Sequence, residues 1–153
     1  MVEFYADVIG LETLDHDADR AVLGVDDRRL VLLAAPDRPP AGRTGLFHTA
    51  FRGPPRTALG DALTRIEERW RLDGASDHHV SEAVYLSDPE DNGIDVWNGR
   101  TEPAAGRGLA WVELVVDDPE GIQARLEPAA VTDRPDRFDV EDPDGITIRV
   151  RRS

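Results

Sequence analysis

Three stretches of this chain each combine a short helix with strands too few to bury their own apolar face, and Pro/Gly-rich joints at about Pro36 to Gly45 and Gly99 to Gly108 separate them. Units of that size must share a core. In the first, Phe4, Tyr5, Val8 and Ile9 fall at helical spacing with Gly10 placed to close the turn, and Arg20 to Val25 and Arg29 to Ala34 read as strands. The second opens on the strand Gly45 to Phe51, followed by a helix whose apolar stripe is Leu59, Ala62, Leu63, Ile66 and Trp70, with Glu67 and Arg71 as an exposed i,i+4 pair. The strands Val80 to Ser87 and Gly93 to Trp97, joined by an Asp88 to Asn92 turn, complete it. The third has a strand Leu109 to Val116, a helix capped by Asp118 with Pro119 in its first turn, and strands Phe138 to Glu141 and Ile146 to Val150 around Asp142-Pro143-Asp144-Gly145. Asp142-Pro143 echoes Asp88-Pro89 and marks a worn internal repeat. The fold expected is α+β: one domain, 1–153, of three modules (1–37, 44–98 and 107–152) whose mixed sheets curl around a shared cavity.

The chemistry open to the chain is narrowed by what it lacks. Without cysteine there is no disulfide, zinc-thiolate site or thiol nucleophile, so any metal must be held by nitrogen and oxygen. The formal charge is -13 and all 18 basic residues are arginine. That field repels nucleic acid and anionic membrane surfaces, and neither is expected as a partner. Aspartate outnumbers glutamate, a balance like that of cytoplasmic proteins of salt-loving microbes, where screening relieves self-repulsion. With no bilayer-length apolar run and no signal-peptide pattern, a cytoplasmic location is expected. The glycines form no phosphate-cradling loop, Ser81 and Ser87 lie on no nucleophile elbow, and the Asp142 to Gly145 turn lacks calcium-loop spacing.

One segment carries most of the functional signal. Asp77-His78-His79-Val80-Ser81-Glu82-Ala83-Val84-Tyr85-Leu86-Ser87-Asp88-Pro89-Glu90-Asp91-Asn92-Gly93-Ile94-Asp95-Val96-Trp97 sets an imidazole, a phenol and a carboxylate at fixed separations across two strands. With Phe4-Tyr5-Ala6-Asp7-Val8-Ile9-Gly10-Leu11 and Gly45-Leu46-Phe47-His48, it resembles the vicinal-oxygen-chelate superfamily of glyoxalases, bleomycin resistance proteins and extradiol dioxygenases, and more narrowly the catechol 2,3-dioxygenase branch. The resemblance implies repeated βαβββ modules and an Fe(II) or Mn(II) ion held by two histidines and a carboxylate, leaving positions for a catechol-like aromatic substrate and dioxygen. Position by position, it makes His48 and Asp95 metal ligands, and His78 and Tyr85 the pair that contacts substrate oxygens and moves protons. Non-catalytic small-molecule binding, as in the bleomycin resistance branch, and a glyoxalase-like lyase or isomerase are the alternatives.

Several positions depart from the family pattern. Ser76 stands at a site usually small or apolar, Asp91 replaces a turn glycine, and Asp95 replaces a glutamate one methylene longer. That shorter acid must bring its strand closer or bind through water. The strand that carries the other metal histidine would precede the Phe4-Tyr5 helix, and the chain begins with that helix. Either the encoded start is too far downstream or a ligand has been lost. Trp111 occupies the place of His48 in the third module and Arg149 the place of Asp95, with Glu113 as the substitute donor two residues beyond Trp111. His79 reads as a loop residue and His16 as an inert residue of an acidic loop. An unpaired edge on the shortened first module leads to an expected homodimer.

Overall fold

The structure is a computed structural model that describes residues 1–34, 45–53, 55–99, 108–126, 131–141 and 146–153. The turn expected at Asp142 to Gly145 and most of both joints lie outside these residues. A wide, π-type helical turn, Phe4–Ile9, starts the fold and ends on Gly10, whose positive φ of 88° lets its N–H reach the Tyr5 carbonyl. Three antiparallel strands follow, β1 (Glu12–His16), β2 (Arg20–Val25) and β3 (Arg28–Ala34), forming a sheet of their own. His16 therefore ends a strand, though it is exposed as expected of an acidic loop residue.

An eight-stranded mixed sheet takes the rest of the chain. It comprises β4 (Gly45–Arg52), β5 (Gly74–Asp77), β6 (Ser81–Ser87), β7 (Gly93–Gly99), β8 (Gly108–Val116), β9 (Val131–Asp133), β10 (Arg137–Glu141) and β11 (Thr147–Arg152), in the order β5-β6-β7-β4-β8-β11-β10-β9. Helix α1 (Arg56–Arg69) links β4 to β5, and the short α2 (Pro119–Gln123) follows β8. Asp118 caps α2 as its sequence indicates, accepting from the Gly121 N–H at 2.9 Å. The second and third modules thus meet through an antiparallel β4–β8 pair, with a parallel β4–β7 pair on one side and a parallel β8–β11 pair on the other. The expected curling of every module around one cavity is not observed. Among the described residues the first three strands pair only with one another, and the larger sheet stays open with β5 and β9 at its edges.

Alternation decides which face of the larger sheet is core. Phe51, Val84, Leu86, Ile94 and Val96 point to one side and join Leu59, Ala62 and Ile66 of α1, Ala21, Leu23 and Val25 of β2, and Phe4, Tyr5, Val8 and Ile9 of the first helix in a single buried cluster. Residues one step away along β4, β6 and β7 must face the opposite side. The two halves of the core are tied together by side-chain hydrogen bonds. Arg65 of α1 donates from Nε to the Val8 carbonyl at 3.2 Å and from Nη2 to the Ile9 carbonyl at 3.1 Å, satisfying the C-terminal carbonyls of the first helix. Arg65→Met, which keeps the aliphatic stem, is expected to cost about 1–2 kcal/mol in denaturant unfolding without changing the midpoint's cooperativity; an unchanged midpoint would deny the cap any weight.

Helix α1 is shorter than its apolar stripe. It stops at Arg69, and Trp70 turns extended, with its ring edge-on to Phe4 at 5.1 Å and its Nε1–H donating to the Ser87 carbonyl at 2.8 Å. Arg71 consequently lies past the helix and pairs with Asp73 at 3.0 Å, not with Glu67.

Candidate functional site

The face of β4, β6 and β7 turned away from the core carries the residues singled out by sequence. The register sets them in rows. Tyr85 and Ala50 flank Asp95 directly on its two neighbouring strands, and Trp111 lies beyond Ala50. One row along come Ser87, Gly93, His48, Glu113 and Arg149. Small residues thus stand beside both candidate ligands, Ala50 beside Asp95 and Gly93 beside His48, so the two long side chains can meet diagonally over them. A Cβ on Gly93 would lie 3.0 Å from the Phe47 carbonyl oxygen and 3.4 Å from His48 Nδ1. Glycine is what allows β7 to lie so close to the imidazole.

His48 Nε2 and Asp95 Oδ2 are 2.8 Å apart, and the Asp95 side chain is only 5% exposed. At that distance an ordinary ion pair would form a hydrogen bond, yet Nε2 has no partner in hydrogen-bonding geometry and Asp95 Oδ1 has none at all. The two atoms approach without hydrogen-bonding geometry. A buried carboxylate oxygen and ring nitrogen left unsatisfied carry a free-energy cost, and a shared cation would relieve it. Imidazole nitrogen and carboxylate oxygen also suit Fe(II) or Mn(II). The missing methylene of Asp95 is accommodated by direct β4–β7 pairing, so no water bridge is required to bring its oxygen to His48.

His78 follows β5, and its Nε2 lies 2.8 Å from the Tyr85 hydroxyl. Burial, and then the nearby Asp95 charge, raise the Tyr85 pKa above the ordinary phenol value. The phenol therefore keeps its proton through the neutral range. His79 takes a positive φ of 67° in the same loop, its N–H donating to Asp77 Oδ1 at 2.8 Å, which fits a turn role. A groove of about 410 Å³ between α1 and β5–β6 is lined by residues such as Leu59, Leu63, Ala75 and Val84, and none of His48, His78, Tyr85 or Asp95 contributes to it.

The third module fills the mirror-related positions differently. Trp111 stands opposite Thr147, two residues before Arg149, just as His48 stands opposite Gly93, two residues before Asp95. Trp111 stacks on His48 with centroids 6.5 Å apart and 20° between planes, and meets Trp97 edge-on at 5.5 Å. Glu113 is the cross-strand partner of His48, but its Oε1 is bound by Arg151 Nε at 2.5 Å. Among the described residues no three His, Cys, Asp or Glu side chains converge as a metal cluster. The donors brought together number two. Sequence reasoning did not anticipate the aromatic wall of Trp97 and Trp111, because it depends on the β4–β8 register.

Comparisons with known proteins bear on the family and the fold. The model of the Glyoxalase/Bleomycin resistance protein/Dioxygenase superfamily matches residues 1–96. The chain is 40% identical over 133 residues to a catechol-2,3-dioxygenase of Bacillus subtilis (strain 168), covering 84% of this chain and 47% of that protein. It thus spans less than half the length of that relative. Among solved structures, a provisionally assigned dioxygenase from Bacillus subtilis superposes with a TM-score of 0.66 at 15% identity, covering 97% of this chain and 58% of the other. A lactoylglutathione lyase from Agrobacterium tumefaciens gives 0.51 at 26% identity, covering 65% and 84%. Methylmalonyl-CoA epimerase from Mycobacterium tuberculosis gives 0.52 at 14%, covering 71% and 87%.

Proposed function

The chain belongs to the Glyoxalase/Bleomycin resistance protein/Dioxygenase superfamily, and from that membership we propose that it is an extradiol-type dioxygenase acting on a catechol-like ring. The observation that carries the reading is the convergence of His48 Nε2 and Asp95 Oδ2 to 2.8 Å without a hydrogen bond, on the face that also holds His78 and Tyr85. The similarity to a catechol-2,3-dioxygenase supports the choice of branch.

In this reading His48 and Asp95 hold Fe(II) or Mn(II). The bound ion would supply chelation of two vicinal substrate oxygens and the site at which dioxygen is activated. The protein's own residues do the remainder. Tyr85, kept protonated by burial and by Asp95, donates a hydrogen bond to a substrate oxygen, and His78 Nε2, bonded to the Tyr85 hydroxyl, accepts or returns the proton. Trp97 and Trp111 offer apolar ring faces beside the metal ligands and keep water from the substrate ring.

Incubation of the full chain with Fe(II), dioxygen and catechol is expected to yield the yellow ring-fission product, with loss of yield on chelation. Absence of product together with absence of bound metal would overturn the enzymatic reading. One observation favours a second reading: only two protein donors converge among the described residues. A non-catalytic member of the superfamily would bind the small molecule without turnover, and would show ligand-dependent thermal stabilisation with no product.

A further inference from the structure

The row that begins at His48 continues through Glu113, Arg149 and Asp139, so Arg149 has a carboxylate on each neighbouring strand. Both carboxylates accept hydrogen bonds from other arginines, while their charges still attract Arg149. Glu113 is bound by Arg151, and Asp139 accepts from Arg137 at 3.0 Å and from Arg134 at 3.4 Å. Four arginines therefore gather around these two acids in a protein whose formal charge is -13. Arg149 is the arginine left over. Its guanidinium lies over the Trp111 ring at 4.2 Å, and its Nε is buried with no hydrogen-bond partner. Burial and then Arg137 lower its pKa, though a guanidinium keeps its charge across the physiological range.

Among the described residues, a cation in that setting is held by an indole face while its Nε lacks an acceptor. A planar donor fork matches a carboxylate in geometry as well as in charge. Strand order places Trp111 between His48 and Arg149, so the guanidinium, whose terminal Nη pair forms the fork, stands one indole away from the candidate metal ligands, on the same sheet face. We infer that Arg149 is a specificity residue that receives the carboxylate of an aromatic acid whose ring lies against Trp111 and His48. The inference rests on the catechol-like reading of the site and narrows it to dihydroxy aromatic acids in preference to neutral catechols.

The test compares 3,4-dihydroxybenzoate with its methyl ester and with catechol, binding being followed by quenching of tryptophan fluorescence on the full chain at neutral pH with chelator present. The acid is expected to bind about tenfold tighter than the ester, as one charge-assisted hydrogen-bonded pair implies, and the advantage should shrink as salt is raised. In Arg149→Gln the acid and the ester should bind alike, while Arg149→Lys keeps part of the preference. Equal binding of acid and ester by the unaltered protein would overturn the inference without any variant, as would a preference that survives in a cooperatively melting Arg149→Gln. Because the comparison is made in chelator, failure of the metal reading leaves its outcome intact. Repeated with Mn(II) in place of chelator, catechol binding with no acid preference would refute the role of Arg149 alone.

Discussion

Asp95→Ala is expected to lower Mn(II) or Fe(II) affinity by more than about 100-fold and to abolish ring-fission activity. Loss of a partner that merely orients a ligand costs about 10–100-fold in metal affinity. Asp95 is one of two protein donors that converge here among the described residues. Its side chain is almost fully buried beside Tyr85, Ala50 and His48, and the acid paired across from His48, Glu113, is held by Arg151. His48→Ala should behave alike, whereas His78→Gln, which alters only the hydrogen bond to Tyr85, should retain the metal and lose turnover. Fluorescence-detected titration with metal, run beside the catechol assay, separates these outcomes. Unchanged metal affinity in Asp95→Ala would mean that the Asp95–His48 pair is a structural contact and nothing more.

The second large effect concerns stability. Asp88 is 4% exposed and its carboxylate accepts from the Glu90 N–H at 2.8 Å, from the Asn92 N–H and Nδ2 at 3.0 Å each, and from the Tyr5 hydroxyl at 3.0 Å. It therefore builds the β6–β7 turn and fastens that turn to the first helix in one stroke. Burial raises the Tyr5 pKa, with Asp88 adding to the shift, so Tyr5 remains a neutral donor in the physiological range. Asp88→Ala leaves these donors without their acceptor and is expected to cost about 3–4 kcal/mol by denaturant unfolding, a large share of a typical domain's stability. Tyr5→Phe, which removes one of the bonds and keeps the ring, should cost about 1–2 kcal/mol. A loss below about 1 kcal/mol in Asp88→Ala would show that the turn holds without this network. Since Tyr85 and Asp95 flank the turn on β6 and β7, a weakened turn should also loosen the pairing that sets them side by side.

How much of this was readable in advance varies with the physics of each element. Strands β2, β3, β4, β6 and β7 announce themselves through apolar runs or alternation bounded by Gly, Pro and Asn, and Asp118-Pro119 marks the start of α2. Strands β1, β5 and β9 do not. Glu12–His16 and Gly74–Asp77 carry few apolar side chains, and they are strands only because a neighbour's backbone pairs with them. Trp70 misled the reading of α1 because its apolar ring lies at helical spacing, while its indole N–H is satisfied only when the chain has already left the helix. In the site, the resemblance picked out His48, His78, Tyr85 and Asp95. It could not supply the 2.8 Å approach, which depends on the β4–β7 register and on the small side chains at Ala50 and Gly93. The free donor of Arg149 was out of reach for the same reason: which carboxylates Arg151, Arg137 and Arg134 consume is a matter of three-dimensional pairing.

If His48 and Asp95 grip one divalent cation, the metal must carry a nitrogen ligand from His48. Pulsed electron paramagnetic resonance on the Mn(II)-loaded full chain reads it most directly, since a coordinated imidazole imprints nitrogen modulation on the metal signal. One Mn(II) per chain with modulation from a single imidazole, lost in His48→Gln and kept in His78→Gln, is the predicted result. Bound Mn(II) with no nitrogen modulation, or modulation that persists in His48→Gln, would contradict the account.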